Sequence, residues 1–458
     1  MKTDWNSKRV TIIGAARQGL AAARWLVRHG AQVTLNDNRP ADSMMEAKAE
    51  LSDLNITWVL GSHPVDILDT TDVVCLSGGV PLTNPLVVEA AQRDIPVTND
   101  TQIFMENVPC KTVGITGSAG KTTTTTLVGQ MAKNSLGNQA FVGGNMGDPL
   151  LNHVDNMNSE DVAILEISSF QLEQMNISPN VATILNITPN HLDRHSTMEA
   201  YAAIKGKILD FQNPFDFAIL CREDPGSWNM HEKVQGKLVS FGNSSFPSNQ
   251  DGSFLSDRVL VLHKHGSNIP LLHRDQIQLR GDHNVLNVLA AFAIGYATGL
   301  PLEAMLSAAK DFRGVPHRLE FVREWKGSKW YNDSIATAPE RTMAAVRSFS
   351  EPIILLLGGR DKNLPWDKLA ALVHERVERV VVFGEAAEKI AVALEKANGP
   401  LQKTVEHCKT LDEAVQAAAR WSKPGEVILL SPGGTSFDQF RDFEERGEAF
   451  KKWVSGLS

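Results

Sequence analysis

Gly114-Ile115-Thr116-Gly117-Ser118-Ala119-Gly120-Lys121-Thr122-Thr123 lies between an apolar run and a helix-like stretch, and its order decides how the middle of the chain folds. Glycines let a backbone curl until successive N–H groups face anionic oxygens, so Gly117, Ser118, Ala119 and Gly120 predict a triphosphate cradle. Lys121 would reach the β- and γ-phosphates, the Thr122 hydroxyl would face Mg²⁺, and Thr123 completes the set at the start of the helix. A strict G-x-x-x-x-G-K-[ST] pattern needs its first glycine at position 115, where this chain has isoleucine bracketed by Gly114 and Gly117. The site is therefore read as an ATP site from the coincidence of glycines, lysine and hydroxyls at one strand-to-helix turn.

Working outward, apolar runs alternate with helical patterns on both sides. Upstream, strand 10–13 runs into the turn Gly14-Ala15-Ala16-Arg17-Gln18-Gly19, then helix 20–29 and strand 32–36, the order of a nucleotide-binding β-α-β unit. Ala16 stands where the second glycine of G-x-G-x-x-G would let a pyrophosphate approach, so this turn fits a ligand site or a plain structural turn. Strands 72–76 and 96–98 follow. Downstream, helix 121–134, strands 162–166 and 181–186, a Ser-rich surface loop at 244–253, and helices 284–298 and 301–311 are expected. Beyond position 315, strands 353–357, 380–383 and 427–430 are separated by helices 366–373, 386–397 and 411–421. The expectation is an α/β protein of three domains: a Rossmann-like domain (1–108), a phosphate-loop mononucleotide-binding domain (109–314) and a second Rossmann-like domain (315–458).

A length of 458 residues exceeds one core, and 42% hydrophobic with 21% charged residues is an ordinary globular composition. A net charge of −8 argues against sequence-independent nucleic-acid binding, which needs a broad basic face. Cys75, Cys110, Cys221 and Cys408 form neither a CxxC pair nor a metal-like cluster. No apolar signal core opens the chain and no stretch has the length of a membrane span, so a cytoplasmic location without membrane insertion is expected.

Two further stretches carry chemistry. Glu166 ends an apolar strand ahead of Ile167-Ser168-Ser169-Phe170-Gln171-Leu172-Glu173, where a carboxylate is placed to ligate Mg²⁺ beside the phosphate loop. His191-Leu-Asp193-Arg194-His195 follows strand 181–185 and leads to a helix with Tyr201, Lys205 and Lys207. His-x-x-x-His without the zincin glutamate makes a zinc hydrolase a poor reading.

Taken in order, these segments resemble the Mur ligase family of ATP-dependent amide-forming enzymes over essentially the whole chain. The resemblance is carried by the phosphate loop, Val142-Gly-Gly-Asn145-Met-Gly147, 166–173, 191–194, Tyr201-Ala-Ala-Ile-Lys205, Gly281-Asp-His-Asn284, Gly314-Val-Pro-His317-Arg318-Leu-Glu320, Asn332-Asp333-Ser334 and Leu430-Ser-Pro-Gly-Gly-Thr-Ser436-Phe-Asp438-Gln-Phe440. The Ser-Ser-Phe-Gln-Leu-Glu run and the Ser-x-Asp-Gln-Phe segment point to the glutamate-adding branch. What this implies is activation of the alanyl carboxylate of UDP-N-acetylmuramoyl-L-alanine by the ATP γ-phosphate. The resulting acyl phosphate is attacked by the amine of D-glutamate. Positive charge must be concentrated between carboxylate and phosphate for that step.

The resemblance also implies residue roles. Lys121 and two Mg²⁺ ions would neutralise the γ-phosphate, with Thr122 and Glu166 on one ion and His191 helping to hold the second. Lys205 matches the family's carbamylated (N6-carboxylated) lysine; the Tyr-x-x-x-Lys spacing selects it over Lys207. Asn284 matches the adenine contact, and Arg318 with Asp333 the pair through which the third domain engages ATP. Ala15, Arg17, Gln18, Gly19, Asn38, Ser77 and Gly78 match the uridine-diphosphate contacts, and Asn145 the muramoyl contact. Thr337, Lys362, Ser436 and Phe443 match the positions that take the incoming amino acid.

One departure stands out. Relatives commonly carry Lys between Asp-Ser and Ala-Thr, where this chain has Ile335; either Arg341 or Arg360 is placed in sequence to compensate. Competing readings are a Mur-type ligase using another amino acid such as L-glutamate, a folate-glutamylating cousin, a nicotinamide-dependent oxidoreductase built on the Gly14–Gly19 turn, and a nucleotide-binding protein without synthetic chemistry.

Overall fold

A computed structural model of the chain describes residues 3–189, 192–195, 197–245, 250–397 and 405–458. The chain divides into two compact units, Met1–Ile277 with Asp282–Phe312, and Gln278–Gly281 with Arg313–Ser458. The described strands form three sheets, two in the first unit and one in the second.

The first sheet has the order Ile56–Leu60, Gln32–Asp37, Arg9–Ile13, Val73–Leu76, Val97–Asn99, and every pair is parallel. The second has nine strands. Lys111–Thr116 sits between Val181–Ile184 and Val162–Glu166, and Ala140–Gly144 closes one side. On the other side Phe217–Cys221 and Lys237–Gly242 continue the parallel order. Gly252–Ser256, Val259–Lys264 and Ser267–His273 then run as an antiparallel ribbon. The outermost strand carries Pro270 opposite Val261, next to a register shift at Leu260/Val261. The expected surface loop 244–253 is corrected at its far end: Ser244 and Ser245 are exposed and outside any strand, 246–249 lie outside the described residues, and Ser253 lies in a strand, fully buried, its hydroxyl donating to the Leu289 carbonyl at 2.7 Å. Its polarity, read as a loop signal, is satisfied inside the fold.

In the second unit the order is Glu320–Trp325, Ser328–Asn332, Val427–Gly433, Ile353–Gly358, Val377–Phe383, Val405–Cys408, parallel except for the antiparallel edge hairpin 320–332. Its central strands are continuous apolar runs because both faces are covered. Leu355, Leu357, Val380, Val382 and Leu429 pack into one core, and Ile354, Leu356, Val381, Phe383, Ile428 and Leu430 into the other. Among the described residues no helix is long and apolar enough to cross a membrane.

Candidate active site

The register of the second sheet assembles the phosphate site. Ile115 pairs with Glu166 on one side and Thr116 with Ile184 on the other, so the loop, the Glu166 carboxylate and the 185–188 turn all leave at the carboxyl ends of neighbouring parallel strands. Helix Lys121–Leu136 begins directly after Gly120, whose φ of 82° is left-handed. A Cβ there would sit 2.3 Å from Asn287 Oδ1 on helix Asp282–Thr298. Asn287 in turn donates to Asn284 Oδ1 at 2.9 Å, which ties the expected adenine contact to the loop. Asn186 clamps the loop's apex: its Oδ1 accepts from Ala119 N–H at 2.8 Å, its Nδ2 donates to Ala119 O at 3.1 Å, and its carbonyl accepts from Ser118 N–H. Lys121 curls back, its Nζ donating to Gly117 O at 2.9 Å.

Tyr201 and Lys205 are four apart on helix Met198–Gly206 and share the face that meets the loop. The Tyr201 hydroxyl is 3.1 Å from Ser118 Oγ, and Lys205 Nζ donates to Thr116 Oγ1 at 3.2 Å. Lys205 is 1% exposed and lies over the Tyr201 ring. Burial lowers its pKa to about 7, with the Lys121 charge adding to the shift and Glu166 opposing it. Lys207 points elsewhere, donating to Glu173 O at 2.7 Å. The side-chain geometry thus separates the two lysines as the Tyr-x-x-x-Lys spacing does.

Glu166 is buried, and its Oε1 accepts from Asn145 Nδ2 at 2.9 Å. Its Oε2 is buried without a hydrogen-bond partner among the described residues. An unpartnered buried carboxylate oxygen costs several kcal/mol unless a cation takes it, so this side chain fits a Mg²⁺ ligand. Among the described residues no cluster of three or more His, Cys, Asp or Glu could hold a metal alone. A Mg²⁺ that also takes a hydroxyl, phosphate oxygens and waters needs no such cluster. His191 lies outside the described residues.

The first sheet's Gly14–Gly19 turn packs against this domain. Arg17 donates to Gly147 O at 3.3 Å and Gln18 to Gly144 O at 3.4 Å, so two of the expected uridine-diphosphate residues hold the loop that bears Asn145. Gly19 is required by close approach, since a Cβ would lie 1.9 Å from Gly14 O. Ala15 N–H is taken by Asp37 Oδ2 at 2.8 Å, and Arg39 grips both Asp37 and the Ala15 carbonyl. The Asp37 carboxyl is held well below its usual range, chiefly by Arg39. Asn38, between them, is exposed. Ser77 and Gly78 line a cavity with Asp100, Phe170 and Arg194, and Ser77 Oγ is buried with no partner among the described residues.

In the second unit, the loops after Asn332, Gly358 and Gly433 leave at the carboxyl ends of three adjacent parallel strands. Arg446, fully buried, donates to Ser334 Oγ at 2.9 Å, to Ser334 O at 2.8 Å and to Gly434 O at 3.1 Å. Phe443 O accepts from Ser334 Oγ, and Ser436 is buried two residues beyond Gly434. Lys362 Nζ lies 3.5 Å from Thr337 Oγ1. Asp333 is buried; Oδ2 accepts from Ser431 at 2.8 Å and Oδ1 from Leu319 N–H at 3.2 Å, and burial raises its pKa to about 7 against the pull of Arg318 and Arg341.

Sequence reasoning missed Asn186, Asn287, Asp37, Arg39 and Arg446 as site-forming residues. Asn186 alone had a local signal, a polar residue just past a strand end that faces the loop. The others act through contacts distant in sequence.

Family models match three consecutive stretches: a Mur ligase MurD-like N-terminal domain at 8–99, a Mur ligase middle domain at 115–295, and a Mur ligase glutamate ligase domain at 317–434. The UDP-N-acetylmuramoylalanine–D-glutamate ligase of Symbiobacterium thermophilum is 38% identical over 453 residues, covering 98% of each chain. The chain belongs to the Mur ligase family. The like-named ligase of Pelotomaculum thermopropionicum is also 38% identical, over 100% of this chain and 99% of its own. Among solved structures, the UDP-N-acetylmuramate–alanine ligase of Thermotoga maritima superposes with a TM-score of 0.57 at 20% identity, covering 98% of this chain and 100% of that one. A type C pseudomurein peptide ligase from Methanothermus fervidus gives 0.52 at 17% identity, covering 99% and 100%. These two likenesses establish the Mur ligase fold, α/β with three parallel-rich sheets. Membership also makes the protein an ATP-dependent, ADP-forming amide ligase that needs Mg²⁺.

Proposed function

We propose that the protein adds D-glutamate to UDP-N-acetylmuramoyl-L-alanine in the cytoplasmic synthesis of peptidoglycan precursors, through an acyl phosphate. Full-length similarity to D-glutamate ligases supports the substrate assignment. The observation that carries the chemistry is the convergence of Lys121, the half-committed Glu166 carboxylate and the buried Lys205 on a single phosphate loop.

The loop N–H groups and Lys121 bind and orient the triphosphate, and Asn284 is the adenine contact. The alanyl carboxylate attacks the γ-phosphorus, the bond to the β-phosphate oxygen breaks, and ADP leaves. Lys121 offsets the charge that accumulates between the two anions. The glutamate amine, deprotonated, then attacks the acyl carbon, and phosphate departs from the tetrahedral intermediate. Bound Mg²⁺ supplies Lewis-acid neutralisation of the phosphate oxygens. Thr122 and Glu166 Oε2 would hold one ion. His191 and Lys205, carboxylated, would hold a second.

A buried lysine beside Lys121 is an unfavourable place for a cation. Addition of CO₂ to its neutral amine forms an N–C bond, releases a proton and leaves a carboxylate, which reverses the sign of the site. Lys205's low pKa keeps the amine free to react. Arg17, Gln18, Ser77 and Gly78 are the uridine-diphosphate contacts with Ala15, Gly19 and Asn38, and Asn145 is the muramoyl contact. Arg318 and Asp333 are further ATP contacts, and Thr337, Lys362, Ser436 and Phe443 receive the amino acid.

ADP release from the purified protein, measured with ATP, Mg²⁺, the UDP-sugar and each glutamate enantiomer, tests the reading. Release that requires both the UDP-sugar and D-glutamate is expected; release indifferent to either one sinks it.

A further inference from the structure

We propose that Arg341 is the second cation for the incoming dicarboxylate, acting opposite Lys362, and so sets the preference for glutamate. The inference rests on the ligase reading above. A substrate with two carboxylates is held best by two separated cations, and a guanidinium fork is the strongest single partner for either one.

Lys362 places one cation at Thr337, through the 3.5 Å approach of Nζ to Oγ1. Arg341 meets the same residue through its backbone. It stands in the first turn of helix Pro339–Arg347 and is exposed, and its Nη1 donates to Ile335 O at 3.3 Å. That carbonyl also accepts the Thr337 N–H at 2.9 Å. The guanidinium and Thr337 therefore meet at one atom, with Lys362 on the Thr337 hydroxyl. Among the described residues Arg341 forms no hydrogen bond or ion pair with a carboxylate, its charge reaching buried Asp333 without direct contact, and a single main-chain carbonyl leaves most of its five donors for a ligand.

Arg360, the other arginine that the sequence offered, is already committed. Its Nε and Nη2 donate to the two oxygens of Glu385 at 2.8 and 2.9 Å. A fork closed on one carboxylate is not available to another. Ile335 contributes an aliphatic side chain and no charge, so the cation on this rim comes from the helix six residues later.

The test uses the full-length protein and steady-state kinetics in each substrate. Arg341→Ala is expected to raise KM for D-glutamate at least about tenfold with kcat within about threefold, while KM for ATP and for the UDP-sugar and the melting temperature stay unchanged. Arg341→Lys should recover most of the loss, and so should Arg341→Ala combined with Ile335→Lys, which moves the cation to the neighbouring loop. An unchanged KM for D-glutamate in Arg341→Ala overturns the proposal, as does an equal rise in all three KM values. A wild-type protein that makes no ADP with all reactants present overturns the ligase reading itself and takes this inference with it.

Discussion

Asn145 Nδ2 donates to Glu166 Oε1 at 2.9 Å, so one oxygen of this carboxylate is fixed by a loop of the neighbouring strand while the other is buried with no hydrogen-bond partner among the described residues. The amide orients the carboxylate, and in the proposed mechanism the second oxygen is the one that would serve a cation. Outer contacts of this kind typically change metal affinity by about 10–100-fold when removed. Asn145→Ala should therefore raise the Mg²⁺ concentration for half-maximal rate about tenfold or more. Glu166→Gln, which keeps the shape and removes the charge, should lower kcat/KM at least about a hundredfold. Initial rates across a Mg²⁺ titration measure both.

Lys205→Ala should abolish turnover, and added acetate or propionate should restore part of it by standing in for the missing carboxylate. Lys207→Ala should keep most of its activity, because Lys207 is engaged with the Glu173 carbonyl. Loss in Lys205→Ala without any rescue would count against carboxylation.

The same lysine gives a stability signature in CO₂-free buffer. Its folded pKa of about 7 lies below the ordinary 10.5. Between these values the unfolded chain binds the proton and the folded chain does not, so stability rises with pH across that window and is flat, for this group, below it. The slope from this one group is at most about 1.4 kcal/mol per pH unit. Denaturant unfolding from pH 6 to 10 should show it in the wild type and lose it in Lys205→Met.

Gly120→Ala should impair nucleotide binding more than its single methyl suggests. The left-handed backbone costs about 1–2 kcal/mol for a residue with a Cβ, and that Cβ would collide with Asn287 Oδ1 at 2.3 Å. Calorimetry should show ATP affinity reduced at least about tenfold; an unchanged Kd would refute the tight approach of helix and loop.

Arg446→Met leaves the Ser334 and Gly434 carbonyls buried without the guanidinium that now satisfies them. Each lost partner costs about 1–3 kcal/mol, so chemical denaturation should register a loss of about 2–4 kcal/mol together with a raised KM for D-glutamate. Arg446→Lys should not recover it, since one ammonium cannot span three acceptors on two loops.

Much of the frame was legible because parallel sheets write themselves as uninterrupted apolar runs. Val162–Glu166 and Leu411–Trp421 match the expected limits, and other elements differ by a few residues where strands continue into polar ends, as in Val427–Gly433. The antiparallel ribbon from Gly252 to His273 was not legible, since Gly252 and Ser253 carry loop-like composition into a strand that a distant helix completes. In the site, Gly117 to Thr122, Glu166 and Lys205 announce themselves because spacing along one strand end or helix face brings them together. Arg446 does not: its three acceptors lie 12 and 112 positions away. Asn287 and Asp37 likewise matter only through what folds onto them.

Pro270 gives the broad central sheet a border that a foreign strand extends poorly. Proline offers no amide hydrogen at that position on the outermost strand, and the neighbouring register shift skews the remaining donors. A chain that exposed this margin during synthesis would meet its neighbours with a broken template, so a high concentration need not cost it fibrous self-association.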